Sequence, residues 1–482
     1  MRKELAFLIH KPMYTFSKRK NNFFIPNILQ DVLKALQEHG AKPVLVGGCV
    51  RDYFLDLEIK DYDVEIFNLN DYEHIAKILS AFGTVKLVGK SFGVLKLSTR
   101  EYEFDFALPR VEKKVGVGYT GFEIITDASM SFKQASIRRD FTINAIGYDY
   151  CTQQFIDPYD GLKDLENKTL RHINEETFVE DPLRVYRAIQ FCARFEFTLD
   201  SQTKRLCQTL VQGGEMQTLS SNRIFEEFKK LLLKAKRPSL GFELLKELKL
   251  LPFFPELEAL VDCPQEPEYH PEGDVWIHTL LCLDEMAKLR TSDAFKNLYL
   301  MLAILCHDLG KPATTEVING KITSYKHEKE GIVPTLSFLE KLTNDKKLIK
   351  NVVELVEYHL APFQLFLQQS SRNAVKRLSN KVNIEDLCLI SQADCLGRTL
   401  KDKSKCYEAV SWLLKVAREL HIENEALKPL VLGRDLIALG FKPDKTFKTI
   451  LAFAYEVQIE NEEFSKEDIL EAISKKYRKY YL

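Results

Sequence analysis

A buried strand, a glycine turn and the start of a helix are predicted by Val44-Leu45-Val46-Gly47-Gly48-Cys49-Val50-Arg51-Asp52. The backbone N–H groups of such a turn, with the Arg51 guanidinium beside them, can approach a phosphate. A strand-to-helix turn with two glycines is more often only a turn, so this stretch predicts an α/β unit and leaves its chemistry open.

Two carboxylates follow on the next predicted strand, which carries Asp61 and Asp63. Because side chains alternate along a strand, both point to one side, where they repel each other unless a cation lies between them. A solvent-exposed acidic edge is the alternative, since Glu65 continues the alternation. A later hairpin turns its aromatic face inward and leaves Asp105 on the other face. Three acids on neighbouring strands beside a glycine turn are the arrangement that two-metal phosphoryl transfer requires.

The composition excludes several classes of protein. A chain of 482 residues with 45% hydrophobic and 28% charged side chains suits two to four globular domains and excludes disordered or collagen-like chains. The longest apolar run, Leu298 to Cys306, is too short to cross a membrane, so we expect a cytoplasmic protein without a membrane partner. Ten cysteines lie singly with no C-x-x-C pair, and we expect reduced, buried thiols instead of disulfides or metal ligands.

Pattern and charge divide the chain into five segments. The net charge of −1 conceals a split, because residues 201–250 sum to +5 and residues 251–280 to −7. The basic helical stretch suits a nucleic acid, and the acidic, proline-containing break marks a domain boundary. We predict an N-terminal extension over 1–40, an α/β head over 41–160, a helical neck and body over 161–260, a histidine-bearing domain over 261–405 and a helical tail over 406–482.

Six potential metal ligands follow in order within 117 residues. They are His278, the adjacent His307-Asp308, His327, His359 and Asp394. The pair His307-Asp308 closes an apolar helix, where an imidazole and a carboxylate can chelate one divalent ion while His278 and Asp394 converge from other helices. His327 and His359 are weaker candidates, since helical surfaces often carry such residues.

Five motifs, including the glycine turn and the paired aspartates, stand in a fixed order. They are Gly47-Gly48-x-Val50-Arg51-Asp52, Asp61-x-Asp63, Arg138-Arg139-Asp140-Phe141-Thr142-Ile143-Asn144-Ala145, Asp157-Pro158-Tyr159-Asp160-Gly161 and Glu180-Asp181-Pro182-Leu183-Arg184. This order resembles the class II tRNA nucleotidyltransferases, which are the CCA-adding enzymes and their poly(A) polymerase relatives, and the histidine order resembles the HD phosphohydrolase superfamily. The resemblance implies an α+β fold, with a polymerase-beta-like mixed sheet in the nucleotidyltransferase head, then a helical neck and body, an HD domain and a helical tail.

The resemblance also implies an activity, the template-independent addition of CCA to tRNA 3′ ends from CTP and ATP. In the family, the aspartates that match Asp61 and Asp63 hold Mg2+, and a third catalytic carboxylate aligns with Asp105. Implied nucleotide-binding positions are Gly48, Arg51, Arg139, Asp181, Arg184, Arg187 and Gln190, the last standing where some relatives have arginine. A planar guanidinium suits a triphosphate because it can pair with it bidentately.

Asp181 begins a predicted helix, with Pro182 in its first turn. A carboxylate and a guanidinium on one rigid helix can read the Watson–Crick edge of a base, Asp181 accepting from an exocyclic amine and Arg184 donating to the ring. The resemblance implies that this pair selects CTP and ATP. Asp140 and Asn144 fix either the sugar or the loop, or are only a helix cap and its polar partner.

An HD domain in this family implies phosphatase and 2′,3′-cyclic phosphodiesterase activity, with a divalent transition metal or Mg2+ at the HD site. A poly(A) polymerase is one alternative, but Lys90-Ser91-Phe92-Gly93 replaces the arginine-rich stretch that follows the glycine matching Gly89. An enzyme that adds only A or only CC and a non-catalytic RNA-binding protein are the others. The oligomeric state stays open.

Overall fold

The computed structural model of the chain describes residues 23–88, 93–114 and 122–477. These residues form two compact units. Unit 1 runs to Phe228 and adds Leu244–Lys249, and unit 2 comprises Lys229–Glu243 and the chain from Leu250 onward. The stretch used above to disfavour a poly(A) polymerase, residues 89–92, and most of the N-terminal extension lie outside the described residues.

Unit 1 is built on a mixed sheet of seven strands in the order β3-β4-β5-β2-β1-β8-β9. The strands of unit 1 are β1 Lys42–Val46, β2 Tyr62–Phe67, β3 Thr84–Val88, β4 Val94–Ser98, β5 Glu103–Ala107, β6 Arg110–Lys114, β7 Phe122–Thr126, β8 Gly147–Asp149, β9 Gln154–Ile156, β10 Thr169–Leu170 and β11 Thr198–Leu199. Within the large sheet β2 and β5 are parallel, and the other neighbours are antiparallel. The predicted mixed sheet is confirmed.

The helices of unit 1 cover the sheet and continue into a helical region. They are α1 Asn27–Glu38, α2 Gly48–Phe54, α3 Tyr72–Ser80, α4 Phe132–Ser136, α5 Gly161–Glu166, α6 Glu175–Val179, α7 Leu183–Phe195, α8 Ser201–Gly213, α9 Ser221–Lys234 and α10 Ser239–Glu247. The last two belong in part to each unit. Beneath the sheet, Val44 and Val46 of β1 pack with Phe67, Phe132 and Ala135, and each fully buried Val contributes roughly 1.5–3 kcal/mol.

Unit 2 is helical apart from one hairpin, β12 Thr315–Ile318 and β13 Lys321–Ser324. Its helices are α11 Pro255–Glu258, α12 Val275–Lys288, α13 Ala294–Cys306, α14 Lys311–Thr314, α15 His327–Glu330, α16 Ile332–Glu340, α17 Lys346–Tyr358, α18 Ala361–Leu367, α19 Arg372–Ser379, α20 Ile384–Gly397, α21 Ser404–Glu419, α22 Gly433–Ala438, α23 Thr446–Glu460 and α24 Lys466–Lys476. Helix α13 lies at the centre against α12, α17 and α20. Its residues from Asn297 to Cys306 are buried, which explains why it is apolar on every side.

The last three helices of unit 2 enclose a small core of their own. Its buried members are Val431, Leu436, Phe441, Ile450, Ala454, Ile469 and Ile473. Within the described ranges, every helix is too short or too polar to span a bilayer.

One sequence prediction is wrong, because Cys395 and Cys406 form a disulfide. Cys395 lies near the end of α20 and Cys406 near the start of α21, and the short connection between the helices brings their Cα atoms to 6.0 Å. A separation of 11 residues without a C-x-x-C motif gave no sign of this pairing. Seven of the free cysteines are buried, as expected, and Cys151 is exposed.

Candidate functional sites

The parallel pairing of β2 with β5 brings two of the predicted carboxylates together. Asp63 lies directly opposite Asp105 in the register, and Asp61 stands two residues before Asp63, open to solvent. Protein atoms packed around Asp63 raise its pKa, and the charges of Asp105 and Asp61 add to this, although Arg139 opposes them. The structure therefore places Asp61, Asp63 and Asp105 on one face, where their mutual repulsion favours a bound cation.

Asp105 provides a test of whether this face suits a divalent cation. Its Oδ1 is buried and, within the described ranges, has no hydrogen-bond partner. Lys96 Nζ lies 3.9 Å from this oxygen, too far for a hydrogen bond. A buried carboxylate oxygen left in this state costs free energy unless something binds it. Because carboxylate oxygens are the ligands that Mg2+ prefers, the three aspartates fit such an ion.

Glycine is required at the first position of the turn after β1. Gly47 has φ +72°, in the left-handed region, and a Cβ there would lie 3.2 Å from Arg139 Nη1 and 3.5 Å from Asp63 Oδ2. A Cβ at Gly48, by contrast, would make only an ordinary contact with Arg51 at 3.6 Å. Gly47, and not the predicted nucleotide-binding Gly48, is therefore the glycine that lets the turn lie against Asp63 and Arg139.

Glu65 is not part of an exposed acidic edge, so that alternative is wrong. Its side chain is 2% exposed, and its Oε1 accepts from Arg138 Nη2 at 2.7 Å and from Arg139 Nη2 at 2.9 Å. Two charge-assisted bonds to one buried carboxylate hold both guanidinium groups against the sheet. Arg139 is thereby oriented beside Gly47, where the resemblance implies a triphosphate contact.

A polar network joins the glycine turn to α7. Arg51 is buried and donates to Asp52 Oδ1 at 2.8 Å and to Asn144 Oδ1 at 2.7 Å. Asn144 donates in turn to Asp140 Oδ1 at 2.9 Å, and Arg187 donates to Asp140 Oδ2 at 2.7 Å. Burial raises the pKa of Asp140, but the charge of Arg187 and the bond from Asn144 outweigh it, so the net shift is downward. Through these hydrogen bonds, the segment that carries Asp140 and Asn144 connects the glycine turn to α7.

The two predicted base-reading residues are both anchored. Asp181 Oδ2 accepts from Arg223 Nη2 at 2.8 Å. Arg184 donates to the carbonyl oxygens of Thr177 and Arg138, each at 2.6 Å. A guanidinium fixed by backbone carbonyls keeps its direction whatever side chains surround it. Asp181 and Arg184 thus have the rigidity that reading a base requires.

Helix α7 begins slightly later than predicted. Pro182 occupies the N-cap position. Asp181 lies one residue before it and accepts from the Leu183 N–H at 3.1 Å. Gln190 is 2% exposed, and among the described residues no partner meets its Nε2. Glu227 of α9 lies 3.9 Å from Arg187.

Three histidines of unit 2 have a defined tautomer. His307, His327 and His359 each place Nδ1 2.7 Å from the carbonyl oxygen three residues earlier. Since a carbonyl oxygen only accepts, each Nδ1 carries the proton and each Nε2 carries a lone pair. His307 and His359 follow α13 and α17 directly, so their rings also satisfy carbonyls that a helix end leaves without partners.

The Nε2 lone pairs of these histidines face other acceptors. His327 Nε2 lies 3.2 Å from His359 Nε2 and 3.3 Å from Asp308 Oδ1, and His307 Nε2 lies 3.2 Å from Asp308 Oδ2. Burial, more than the neighbouring His327, lowers the pKa of His359 to about 3, so its Nε2 faces His327 as a lone-pair acceptor. Such a cluster of buried, facing acceptors fits a divalent cation, and it draws in His327 and His359, the weaker candidates.

His278 joins the cluster from α12. Its Nδ1 lies 2.8 Å from Glu272 Oε1 and its Nε2 lies 3.1 Å from Asp394 Oδ1. A carboxylate that accepts from Nδ1 turns Nε2 toward the ligands and is a common partner of metal-binding histidines. Sequence analysis missed Glu272 because it stands in the acidic break and resembles the exposed acids around it.

A cavity of about 240 Å3 opens onto this cluster. Two cations line it, Lys311 and Arg398. Lys311 Nζ lies 2.7 Å from Asp308 Oδ2, and Arg398 Nη2 donates to Asp394 Oδ2 at 3.0 Å. The cavity therefore combines metal ligands with cations suited to an anionic group, and neither cation was singled out from the sequence.

The mixed sheet with its clustered aspartates and the helical unit with its histidines and aspartates define a nucleotidyltransferase head joined to an HD domain. Family models match both parts. The poly A polymerase head domain matches residues 44–171, a probable RNA- and SrmB-binding site of polymerase A matches 196–260, and the HD domain matches 275–399.

Curated relatives and solved structures agree with this class. A multifunctional CCA protein of Mannheimia succiniciproducens is 38% identical over 372 residues, 74% of this chain and 84% of the relative. One of Acinetobacter baumannii strain AYE is 37% identical over 424 residues, 84% of this chain and 97% of the relative. The CCA-adding enzyme of Bacillus stearothermophilus in complex with CTP has a similar fold, with a TM-score of 0.66 at 19% identity over 95% of this chain and 99% of that one. The chain belongs to the family of multifunctional CCA proteins, as the sequence motifs predicted.

Proposed function

We propose that the head of this protein adds C, C and A to tRNA 3′ ends from CTP and ATP without a nucleic-acid template. The observation that carries the proposal is the in-register pairing of Asp63 with Asp105, beside Asp61 and the Gly47 turn. The names of the relatives support the product, and a similar fold occurs in a Thermotoga maritima CCA-adding enzyme complexed with tRNA, with a TM-score of 0.56 at 20% identity over 94% of this chain and 96% of that one.

In this proposal Asp61 and Asp63 hold Mg2+, with Asp105 as the third carboxylate. Bound Mg2+ supplies charge neutralisation and activation of the terminal hydroxyl of the RNA. Arg139, oriented by Glu65, contacts the triphosphate where it passes the glycine turn at Gly48. Buried Arg51 donates to Asn144 and so holds the glycine turn against the segment that contains Asn144.

Base selection is assigned to Asp181 and Arg184. Asp181 accepts from the exocyclic amine that C and A share, and Arg184 donates to the ring. The bonds from Arg223 and to two backbone carbonyls hold this pair in place. Arg187 and Gln190 lie further along the same helix. Arg187 donates to Asp140 and Gln190 is buried, so both hold this helix, and with it the base-reading pair, in position.

The second activity we propose is phosphohydrolysis in the HD domain. His278, His307, Asp308 and Asp394, with His327 and His359, hold a divalent transition metal or Mg2+. Bound metal supplies an activated water for attack on a phosphoester. Lys311 and Arg398 bind the phosphate in the cavity, which suits a terminal phosphate or a 2′,3′-cyclic phosphate.

The five segments predicted from the sequence are retained as the domain organisation. We place the protein in the cytoplasm, where its proposed substrate tRNA occurs. Its partners in this proposal are tRNA, CTP and ATP.

The test uses three RNAs: a tRNA ending before CCA, a tRNA ending in CC, and an unstructured RNA, each with CTP, with ATP and with both. We expect two C residues and then one A on the first, one A on the second, and no extension of the third. Extension of any RNA by ATP alone would identify a poly(A) polymerase. Addition of only CC or only A would identify a specialised enzyme, and no addition would leave an RNA-binding protein.

A further inference from the structure

We propose that Cys282 is a sulfur ligand of the HD metal site and gives it a preference for a thiophilic ion such as Zn2+. The inference rests on the proposed HD site and adds to it a donor that neither the motifs nor the family matches assign. It also reverses the sequence prediction that no cysteine of this chain binds a metal.

Two groups of donors in the cluster are each close enough to share an ion, and Asp308 Oδ2 of the second lies 3.2 Å from His307 Nε2 of the first. The ligand atoms of His278, Cys282, His307 and Asp394 all lie within 4.8 Å of one another, and those of Asp308, His327 and His359 form a second such group. The members of the first group are all buried. Cys282 stands one helical turn after His278 on α12, so both side chains point to the same side of that helix.

His307 supplies an independent indication that a ligand belongs in the first group. Its ring is 1% exposed, and its Nε2, which carries a lone pair, has no hydrogen-bond partner among the described residues. A buried acceptor without a donor costs free energy. A cation shared with Cys282 removes that cost, because it binds the lone pair of His307 directly.

The immediate surroundings keep Cys282 in the cluster. Its Sγ lies 3.3 Å from His278 Nε2 and 3.6 Å from the Asp394 carbonyl oxygen. Gly397 of α20 packs against it, and a Cβ at that glycine would overlap Cys282 Sγ. The thiol is therefore held at the point where α12 and α20 meet, facing the donors of the first group.

The charges around this group suit a divalent ion. On binding, Cys282 releases its thiol proton to solvent, and its thiolate joins the carboxylates of Asp394 and Asp308 as the negative charges beside the ion. His278 and His307 bind as neutral imidazoles. A set of one sulfur, two nitrogens and one oxygen favours Zn2+ and other borderline or soft ions over Mg2+, which prefers oxygen alone.

The test uses the full chain, kept reduced, freed of metal with a chelator and titrated with Co2+. We expect a near-ultraviolet thiolate-to-cobalt charge-transfer band whose intensity reaches its maximum when Co2+ fills the first group. Cys282→Ser should lose the band and bind Zn2+ at least about tenfold more weakly, since a hydroxyl is a poor ligand. Cys388→Ser, which changes another buried cysteine on α20, should keep both.

A measurement on the unchanged chain guards against a Cys282 variant that does not fold. X-ray absorption of the Zn2+-loaded protein should show a sulfur neighbour at about 2.3 Å from the metal. Co2+ or Zn2+ bound without sulfur overturns the role of Cys282 and leaves the HD site standing. No binding of either ion overturns the HD site itself, and with it this inference.

Discussion

The two proposed cation sites hold their ligands in different ways. In the head, Asp61 and Asp63 are exposed, and the register of two strands positions the carboxylates. In the HD domain every donor is buried, and bonds to backbone carbonyls orient the rings of three histidines. The open site suits an ion that arrives and leaves with each nucleotide. The closed site suits an ion that stays through many turnovers.

The largest effect is expected at the open site. Asp63→Asn should lower the rate of CMP addition on the order of 10³-fold, because it removes a charge that the metal requires, and should leave hydrolysis by the HD domain unchanged. Single-turnover extension and phosphodiester hydrolysis, assayed on the same preparation, check this. Glu103→Gln, an exposed acid on β5, is the matched control and should behave as the unchanged protein. Loss of both activities in a folded Asp63→Asn variant would show that the two sites depend on each other.

The closed site gives the next effect. Asp308→Asn should reduce the metal content of the purified protein and lower hydrolysis about a hundredfold, while CCA addition continues. Elemental analysis after dialysis provides the measurement. Asp345→Asn serves as the control, since Asp345 caps α17 and asparagine caps equally well. An unchanged metal content in the Asp308 variant would show that Asp308 does not hold the metal of the HD domain.

A smaller effect is expected at the base-reading pair of the head, which hydrogen bonds hold in place although the carboxylates of the cation site are exposed. Arg184→Ala should change the ratio of CTP to ATP incorporation by about tenfold, with less change in triphosphate affinity, because a lost hydrogen bond to the base costs on the order of 1–2 kcal/mol. Competition between the two nucleotides measures the ratio. Arg205→Ala, an exposed arginine on α8, should leave it alone. An unaltered preference would remove Arg184 from base selection.

The smallest effect concerns stability. Asp140→Asn should cost about 2 kcal/mol at pH 7, because it removes the charge from the buried carboxylate to which Arg187 donates. The pKa of folded Asp140 lies below its ordinary value, so its stabilisation is present above the unfolded pKa and disappears as pH falls through the folded one. Urea unfolding at neutral pH and below about pH 4 should therefore show a difference that shrinks with acid. An equal difference at both pH values would mean that the charge is not the cause.

Features encoded within a few residues could be predicted. The strand, glycine turn and helix around Gly47, the hairpin that presents Asp105 and the apolar helix that ends at His307 are all confirmed. Each depends on local periodicity and turn chemistry, which a sequence carries directly. The fold class and family followed from motifs of the same local kind.

Features that depend on distant partners could not be predicted. Alternation along β2 cannot tell an exposed Glu65 from one buried by Arg138 and Arg139, which lie more than 70 residues away. Glu272 gave no signal for the same reason, and the bond between Cys395 and Cys406 depends on where two helices meet. What the sequence lacked was the tertiary arrangement that decides which charges are paired.

The backbone acceptors of His307, His327 and His359 bear on how this metal cluster tolerates mutation. The carbonyls belong to Ile304, Ser324 and Val356, and any residue at those positions offers the same oxygen. Substitutions that keep α13, β13 and α17 intact therefore leave the directions of the rings unchanged. The path of the main chain therefore sets the orientation of these ligands, so the residues at these three positions can vary in evolution without loss of the site.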